Sequence, residues 1–270
     1  MANTAVSSGL LRLDLELPRP VDFAPGQFAM LNLTGAGQLV FRRPFSILAN
    51  AGPVISFLYR IVGRGTVRLG ELRPGEPVQC LAPLGRPFAA PGPDTPPVLI
   101  LAGGVGLPPL HAWYARHGRP QDLACFGGRD GADVPWDLLP EPWRVSVDRL
   151  EAMPGGREAH HGLVTELGLA ELERRGDPGP RLVLACGPTP LLRAAAALAR
   201  ERGWPCHVSV EEHMGCGYGV CKGCVVPVLQ DAASGGGWRN ANSCTEGPVF
   251  DAASLDWDSF GAHHATGGAP

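Results

Sequence analysis

Three cysteines, Cys216, Cys221 and Cys224, fall within nine residues of the stretch EEHMGCGYGVCKGCVVPV (211–228), and Cys244 follows after nineteen more residues. No other feature limits the possible folds of this 270-residue chain as strongly. Thiols crowded in this way must share a ligand, pair covalently or be buried together. Gly215, Gly217, Gly219 and Gly223 alternate with them. Glycine tolerates positive φ and close backbone approach, so such a loop can wrap tightly and turn its N–H groups inward.

The spacing C-x4-C-x2-C followed by a distant cysteine is the plant-type ligand run for a [2Fe–2S] cluster, in which four thiolates hold two irons. Amides aimed at the sulfurs would tune its potential. Three rival readings fit less well. Structural zinc favours two paired knuckles, and here one C-x2-C stands with a solitary Cys244. A Rieske centre needs two histidine ligands, and His207 and His213 lack paired spacing. A disulfide framework belongs to smaller secreted chains. The other four cysteines, Cys80, Cys125, Cys186 and Cys206, are scattered.

Hydrophobic residues make up 44% and charged residues 18%, a globular balance. The formal charge of −3 gives no reason to expect nucleic acid or an anionic membrane as partner. The start, ANTAVSS, has neither the basic nor the apolar segment of a signal peptide. PPVLILAGGVGLPPL is too short and too broken to span a bilayer. A cytoplasmic protein is expected.

Three regions separate along the chain. From Leu10 to Phe88, short alternating runs (LLRLDLEL, FAMLNL, PFSILAN, VISFLYRIV, PVQCLAPL) are bounded by Pro, Gly or Asn, including a turn at GAGQ (35–38). This pattern predicts an antiparallel β-barrel over residues 1–92. AAPGPDTPP (89–97) reads as a linker. Strand and helix patterns then alternate: VLILAGG, PLHAWYARHG, LACFGG, RVSVD, GLVTELGLAELERRG, RLVLACG, PLLRAAAALARERG and HVSVEE. They predict a Rossmann-like, doubly wound parallel sheet over 93–210. Residues 211–256 form the cysteine module, and 257–270 are expected to be a disordered tail. The fold class is therefore β plus α/β, with a C-terminal [2Fe–2S] element.

Smaller motifs carry chemistry. Arg43-Pro44-Phe45-Ser46 supplies a guanidinium for a pyrophosphate, an aromatic ring and a hydroxyl, the residue types a flavin dinucleotide needs. Gly63, Gly65 and Thr66 open a short helix toward phosphate. Gly103, Gly104 and Gly106 form a glycine turn between strand and helix, where the pyrophosphate of a nicotinamide dinucleotide could lie. Cys186-Gly187-Pro188 closes another strand at its carboxyl end. Each motif alone also fits a plain turn. GGRD (127–130) offers both an arginine for a 2′-phosphate and an acid for a free ribose, so NAD and NADP both stay open.

Taken in order, RPFS, GxGT, PLG (83–85), GGxG and CGPxP resemble the ferredoxin–NADP reductase superfamily. The cysteine loop with CTEGPVFDA (244–252) resembles one branch, the electron-transfer subunits of class B dihydroorotate dehydrogenase. That resemblance implies FAD held by Arg43, Pro44, Phe45, Ser46, Leu58, Tyr59, Arg60, Gly65 and Thr66. It implies iron held by Cys216, Cys221, Cys224 and Cys244, and NAD beside Gly103, Gly104, Gly106, Cys186 and Gly187. It implies a partner subunit containing FMN that oxidises dihydroorotate for pyrimidine biosynthesis, in a two-plus-two heterotetramer, with electrons passing through cluster and FAD to NAD. Because the cofactors supply the chemistry, no catalytic acid or base is expected. A hydrogenase- or ferredoxin-linked NAD(P) reductase subunit of the same build, or a zinc-stapled binding module, remain alternatives. Glu246, where the branch commonly has Asp, and Lys222 inside the cysteine loop depart from its pattern.

Overall fold

The computed structural model describes residues 2–33, 42–230 and 236–260. The turn expected at 35–38 and the residues after 260 lie outside them. The first region holds six strands, of which the five alternating runs form the last five: β1 (Ala2–Ala5), β2 (Leu11–Glu16), β3 (Phe28–Leu33), β4 (Arg43–Ala51), β5 (Val54–Tyr59) and β6 (Val78–Leu84). Helix α1 (Arg64–Gly70) lies between the last two. The strands form one antiparallel sheet in the order β1-β2-β5-β4-β3-β6. Leu13 and Leu15 of β2 point inward beside Ile47, Ile55, Phe57 and Tyr59, as a period of two requires. β1 has no periodic signal, since its ANTA shows no apolar alternation. Asn3 holds it instead, donating to the Leu69 carbonyl at 2.8 Å and accepting from the Tyr59 hydroxyl at 2.9 Å.

The second region holds β7 (Val98–Gly103), α2 (Leu107–His117), β8 (Leu123–Gly128), β9 (Arg144–Val147), β10 (His160–His161), α3 (Val164–Arg174), β11 (Leu182–Cys186), α4 (Thr189–Arg202) and β12 (Cys206–Ser209). Pairing runs β10-β9-β8-β7-β11-β12, all parallel. Apart from the short β10 this is the 3-2-1-4-5 order of a doubly wound sheet, with its switch point between β7 and β11. Every residue of β7 is buried, as a strand covered on both faces must be. Leu107, Leu110 and Trp113 of α2 cover one face. Leu167 and Leu172 of α3, with Leu192 and Leu198 of α4, cover the other. Local signals set the helix ends. Pro108 and Pro109 fall in the first turn of α2, where missing N–H groups cost nothing. Glu166 accepts from the Leu163 N–H at 2.9 Å to cap α3. Gly203, in the left-handed conformation, ends α4.

The third region contains the hairpin β13 (Val225–Leu229) and β14 (Trp238–Asn242), the short helix α5 (Ser243–Glu246), and β15 (Val249–Asp251). Strand β15 pairs antiparallel with β12, Ser209 facing Val249 and His207 facing Asp251. The cysteine segment thus leaves the parallel sheet and returns to its edge. Disorder was expected from 257, but Trp257 stacks edge-on against Phe260 at 5.3 Å, and Phe260 is buried in the α4 face of the core. Two aromatic rings gain more from that burial than the last turn loses in entropy.

The linker at 89–97 is tied down by polar groups. Arg119 donates to the carbonyls of Thr95 and Pro96, and fully buried Asp122 accepts from Arg119 and from the Val98 N–H at 2.8 Å. Replacing Asp122→Ala leaves these donors unpaired. The expected cost is about 2–4 kcal/mol in urea unfolding, against a near-neutral effect for exposed Asp94→Ala.

Candidate functional site

The four cysteines of the third region lie together at the underside of the N-terminal sheet. Cys224 and Cys244 are buried, Cys216 is half-buried and Cys221 is exposed. Phe28, Met30 and Leu84 of the sheet pack with Met214, Cys224 and Cys244 in one apolar cluster. Gly217, at φ +85°, makes this docking possible, since a Cβ there would overlap the Met30 side chain. Lys222 sits at φ +55°, a conformation that glycine adopts more cheaply, and so departs from the glycines around it.

The thiols form two pairs. The Cys221 N–H donates to Cys216 Sγ at 3.5 Å. Burial resists ionisation of Cys216, but the amides of Cys221, Tyr218 and Val220 and the Cys221 thiol outweigh it and bring the pKa down to about 6. Cys244 lies against Cys224. Burial first, and then the neighbouring Cys224, push its pKa up to about 12, with the Gly219 amide pulling the other way. The Cys216 charge is felt at Cys244, so the pairs face each other. Among the described residues no three His, Cys, Asp or Glu side chains converge as the ligands of one metal ion. Two facing pairs of thiols, with amides aimed at sulfur, suit a two-iron cluster better than a single zinc.

The residues assigned to FAD lie along β4, β5 and the start of α1. Arg43 opens β4, and its guanidinium lies over Gly65, where a Cβ would overlap it. Phe45 is half-buried and meets Phe57 and Tyr59 edge-on at 6.4 and 6.1 Å. Pro44 and Ser46 flank it, also half-buried. Leu58 and Tyr59 are buried, and burial pushes the Tyr59 hydroxyl up to about 12. Their side chains therefore belong to the core. The Thr66 hydroxyl accepts from the N–H groups of Val62 and Gly63 and donates to the Gly63 carbonyl, closing the turn. Arg60 turns instead to the second region, where it donates to Asp133 at 2.8 Å.

At the switch point of the parallel sheet lies a cavity of about 500 Å³. Gly103, Gly104, Gly127, Gly128, Pro188 and Leu191 form its floor and sides, and Arg60 reaches it from β5. Gly106, Cys186 and Gly187, assigned to the nucleotide by sequence, are not in its lining. A Cβ on Gly106 would overlap the Cys186 carbonyl, so these two residues set how closely α2 approaches β11. Cys186 is buried, and burial, then Glu211, hold its thiol well above the usual range. Gly187 touches Gly103 backbone to backbone.

The cavity wall also includes Arg129, Asp133, Ser146, Asp148 and Glu211, of which the sequence had singled out only Arg129. Asp148 had a readable signal, an acid closing the strand RVSVD at its carboxyl end. Asp133 accepts from Arg60 and from Arg129. Burial works against its charge, but the two guanidinium groups prevail and keep its pKa below the usual carboxylate range. Glu211 is exposed at the cavity wall, and desolvation by the surrounding walls raises its pKa.

Residues 211–256 match the family described as the iron–sulfur cluster binding domain of dihydroorotate dehydrogenase B. The chain is similar to a dihydroorotate dehydrogenase B (NAD(+)) electron transfer subunit from Desulforamulus reducens, 31% identical over 87% of each chain. It is also similar to its counterpart from Shouchella clausii, 34% identical over 84% of each. Among solved structures it resembles an NADH-dependent reduced ferredoxin–NADP oxidoreductase, with a TM-score of 0.78 and 23% identity, covering 99% of this chain and 92% of that one. It also resembles the ferredoxin reductase of carbazole 1,9a-dioxygenase, with a TM-score of 0.64 and 22% identity over 77% and 66%. These structural likenesses concern the fold.

Accessibility separates the thiols chemically. In metal-free chain at pH 7, iodoacetamide is expected to label Cys216 and Cys221 first. Cys125, Cys186 and Cys206, buried and with raised pKa values, should stay unlabelled until the chain unfolds. Peptide mapping by mass spectrometry checks the order.

Proposed function

Because the chain belongs to the family of dihydroorotate dehydrogenase B electron-transfer subunits, we propose that it carries electrons from dihydroorotate oxidation in a partner subunit to NAD+. The observation that carries this reading is the pair of cysteine pairs docked on the flavin-type sheet, in a chain whose parallel sheet bears the switch-point cavity. When bound, FAD and a [2Fe–2S] cluster supply the exchange between two-electron and one-electron transfer, which no side chain here can perform.

The chain's own residues bind, orient and shield. Cys216 and Cys221 form one half of the cluster site, and Cys224 and Cys244 the other. Met30, Leu84 and Met214 keep water from the buried half. Arg43, lying over Gly65, offers a guanidinium to the FAD pyrophosphate. Pro44, Phe45 and Ser46 line the flavin, with Gly65 and Thr66 shaping the turn below it. The backbone of Leu58, Tyr59 and Arg60 borders the same site. Gly103 and Gly104 allow the NAD pyrophosphate close to the sheet, with Gly106, Cys186 and Gly187 fixing the shape of the crevice behind them. The working units are 1–92 for FAD, 93–210 for NAD and 211–256 for the cluster.

A one-electron site needs an outlet. Cys221 is exposed, and beside it Tyr218 and Val220 present 51% and 72% of their surface. An apolar rim around an accessible ligand suits docking of an FMN-containing catalytic subunit, in a two-plus-two assembly working in the cytoplasm. Among the described residues no helix is long and apolar enough to cross a membrane.

The test is anaerobic purification with and without the partner. The chain alone should hold one FAD and two irons and reduce artificial acceptors with NADH. It should oxidise dihydroorotate only when the partner is added. Stoichiometric zinc without labile sulfide, or dihydroorotate turnover by the chain alone, would overturn the reading. Cys221→Ser should lose the iron and keep the flavin. Arg43→Ala should weaken FAD binding by roughly one to two decades, the value of a hydrogen bond between charged groups, and fluorescence on dilution measures it.

A further inference from the structure

The first two regions meet along two seams. On one side α2 lies against the N-terminal sheet, with Ala112 buried in that sheet's core and Arg116 donating to the Phe23 carbonyl. On the other side three segments distant in sequence converge at one point. Arg60 arrives from just past the end of β5, Asp133 from the loop after β8, and Gly9 from the turn between β1 and β2.

Ser7 closes that turn, its Oγ accepting from the Leu10 N–H at 3.1 Å. The Ser8 N–H donates to the Ala132 carbonyl at 2.9 Å, so the turn is bonded directly to the second region. Gly9 lies against the Arg60–Asp133 pair, and a Cβ there would overlap Arg60 Nη1 and crowd Asp133 Oδ1. Gly9 does not have a positive φ, so glycine is needed here for room and not for backbone conformation.

Arg60 is the main partner of Asp133. The two meet at 2.8 Å with side chains only 24% and 5% exposed. Arg129 reaches the same carboxylate at 3.3 Å, but from a side chain 63% exposed, where an ion pair contributes little. A buried carboxylate deprived of its principal cation is strongly disfavoured, and this fixes the Arg60 side chain in place. The same side chain borders the cavity.

We propose that Arg60, clamped by Asp133 over Gly9, is a positioning residue: it sets the angle between the N-terminal sheet and the cavity, and with it the approach of flavin to nicotinamide. The inference rests on the reading of the sheet as the FAD site and of the cavity as the NAD site. The α2 seam alone leaves the two regions free to rock about one line of contact. The Gly9 seam, at the cavity, removes that freedom. Passage of a hydride, with its two electrons, from NADH to the flavin depends steeply on approach, and about 1 Å of misplacement costs on the order of a hundredfold in rate.

Three variants of the full chain test this. Arg60→Ala removes the clamp, Gly9→Ala pushes the guanidinium off Asp133 without changing any charge, and Arg60→Lys keeps the charge. In stopped flow at saturating NADH, flavin reduction by Arg60→Ala and Gly9→Ala should slow by roughly ten- to a hundredfold. Their affinities for FAD, by fluorescence, and for ADP-ribose, by calorimetry, should not change. Arg60 makes a single bond to Asp133, so Arg60→Lys should recover part of the rate. In the flavin-free chain, hydrogen exchange in the peptide containing Ser8 should quicken in both slow variants, which loss of a flavin contact cannot produce. Unchanged rates, or unchanged exchange at Ser8, overturn the inference while both cofactor sites stand. If Arg60→Ala releases FAD and Gly9→Ala behaves normally, the side chain serves the flavin and the inference fails. If the unmutated chain binds no ADP-ribose, or NADH does not reduce its flavin, the functional reading fails and takes the inference with it. Should Arg60→Ala not fold, Gly9→Ala decides the matter.

Discussion

The antiparallel pairing of β15 with β12 is the constraint on which the rest of the arrangement depends. It holds Ser209 opposite Val249 and so clamps both ends of the intervening segment on one edge of the parallel sheet. The cysteines lie between these clamps, and their remaining freedom is removed where Gly217 meets Met30 and where Cys224 and Cys244 pack beside Phe28 and Leu84. Two regions far apart in sequence thereby hold a third between them. The separation between the thiols and the flavin-type sheet is then set by packed atoms, and packed interiors deform little.

A second constraint sits at the switch point. Gly187 touches the Gly103 backbone, and Gly106 leaves room for the Cys186 carbonyl. No side chain fits between these strands and the turn, so the crevice opens above them, where the connections from the parallel strands β7 and β11 lead away in opposite directions. Arg60 crosses from the first region to Asp133 at the rim of this crevice. The ion pair, with Asp133 buried and Arg60 partly so, links the two regions at the cavity.

Much of this was legible because periodicity and spacing are local properties. β2 through β9, α2, α3, α4 and β11 all follow from alternation, helical period and Pro/Gly punctuation. The four cysteines were legible from spacing alone. What escaped depends on distant partners. β1 exists through Asn3 and its bonds to Leu69 and Tyr59. β15 exists because β12 needs an edge partner. Trp257 and Phe260 are ordered by a core that the tail itself does not announce. In the site, the family resemblance implied Arg60 for the flavin and residue type offered Asp130 for the ribose, and the structure holds each side chain in an ion pair with a residue distant in sequence. Motif reading finds backbone features such as the glycines well, because glycine's role is fixed by its own conformation. It finds charged side chains poorly, because their direction is decided by the opposite charge that reaches them first.

The attachment of the cysteine segment also bears on how such a protein could be assembled by recombination. Segments joined through flexible linkers can be exchanged as beads on a string, but this one contributes a strand to its neighbour's sheet and a patch of wall to another neighbour's interior. A transplanted copy would arrive missing its recipient's edge strand and facing an unmatched apolar surface. Inheritance of the segment would have to carry the Ser209–Val249 seam and the Met30–Gly217 contact together. Sequence divergence along the lineage should therefore be slow at those positions even where the loops between them drift.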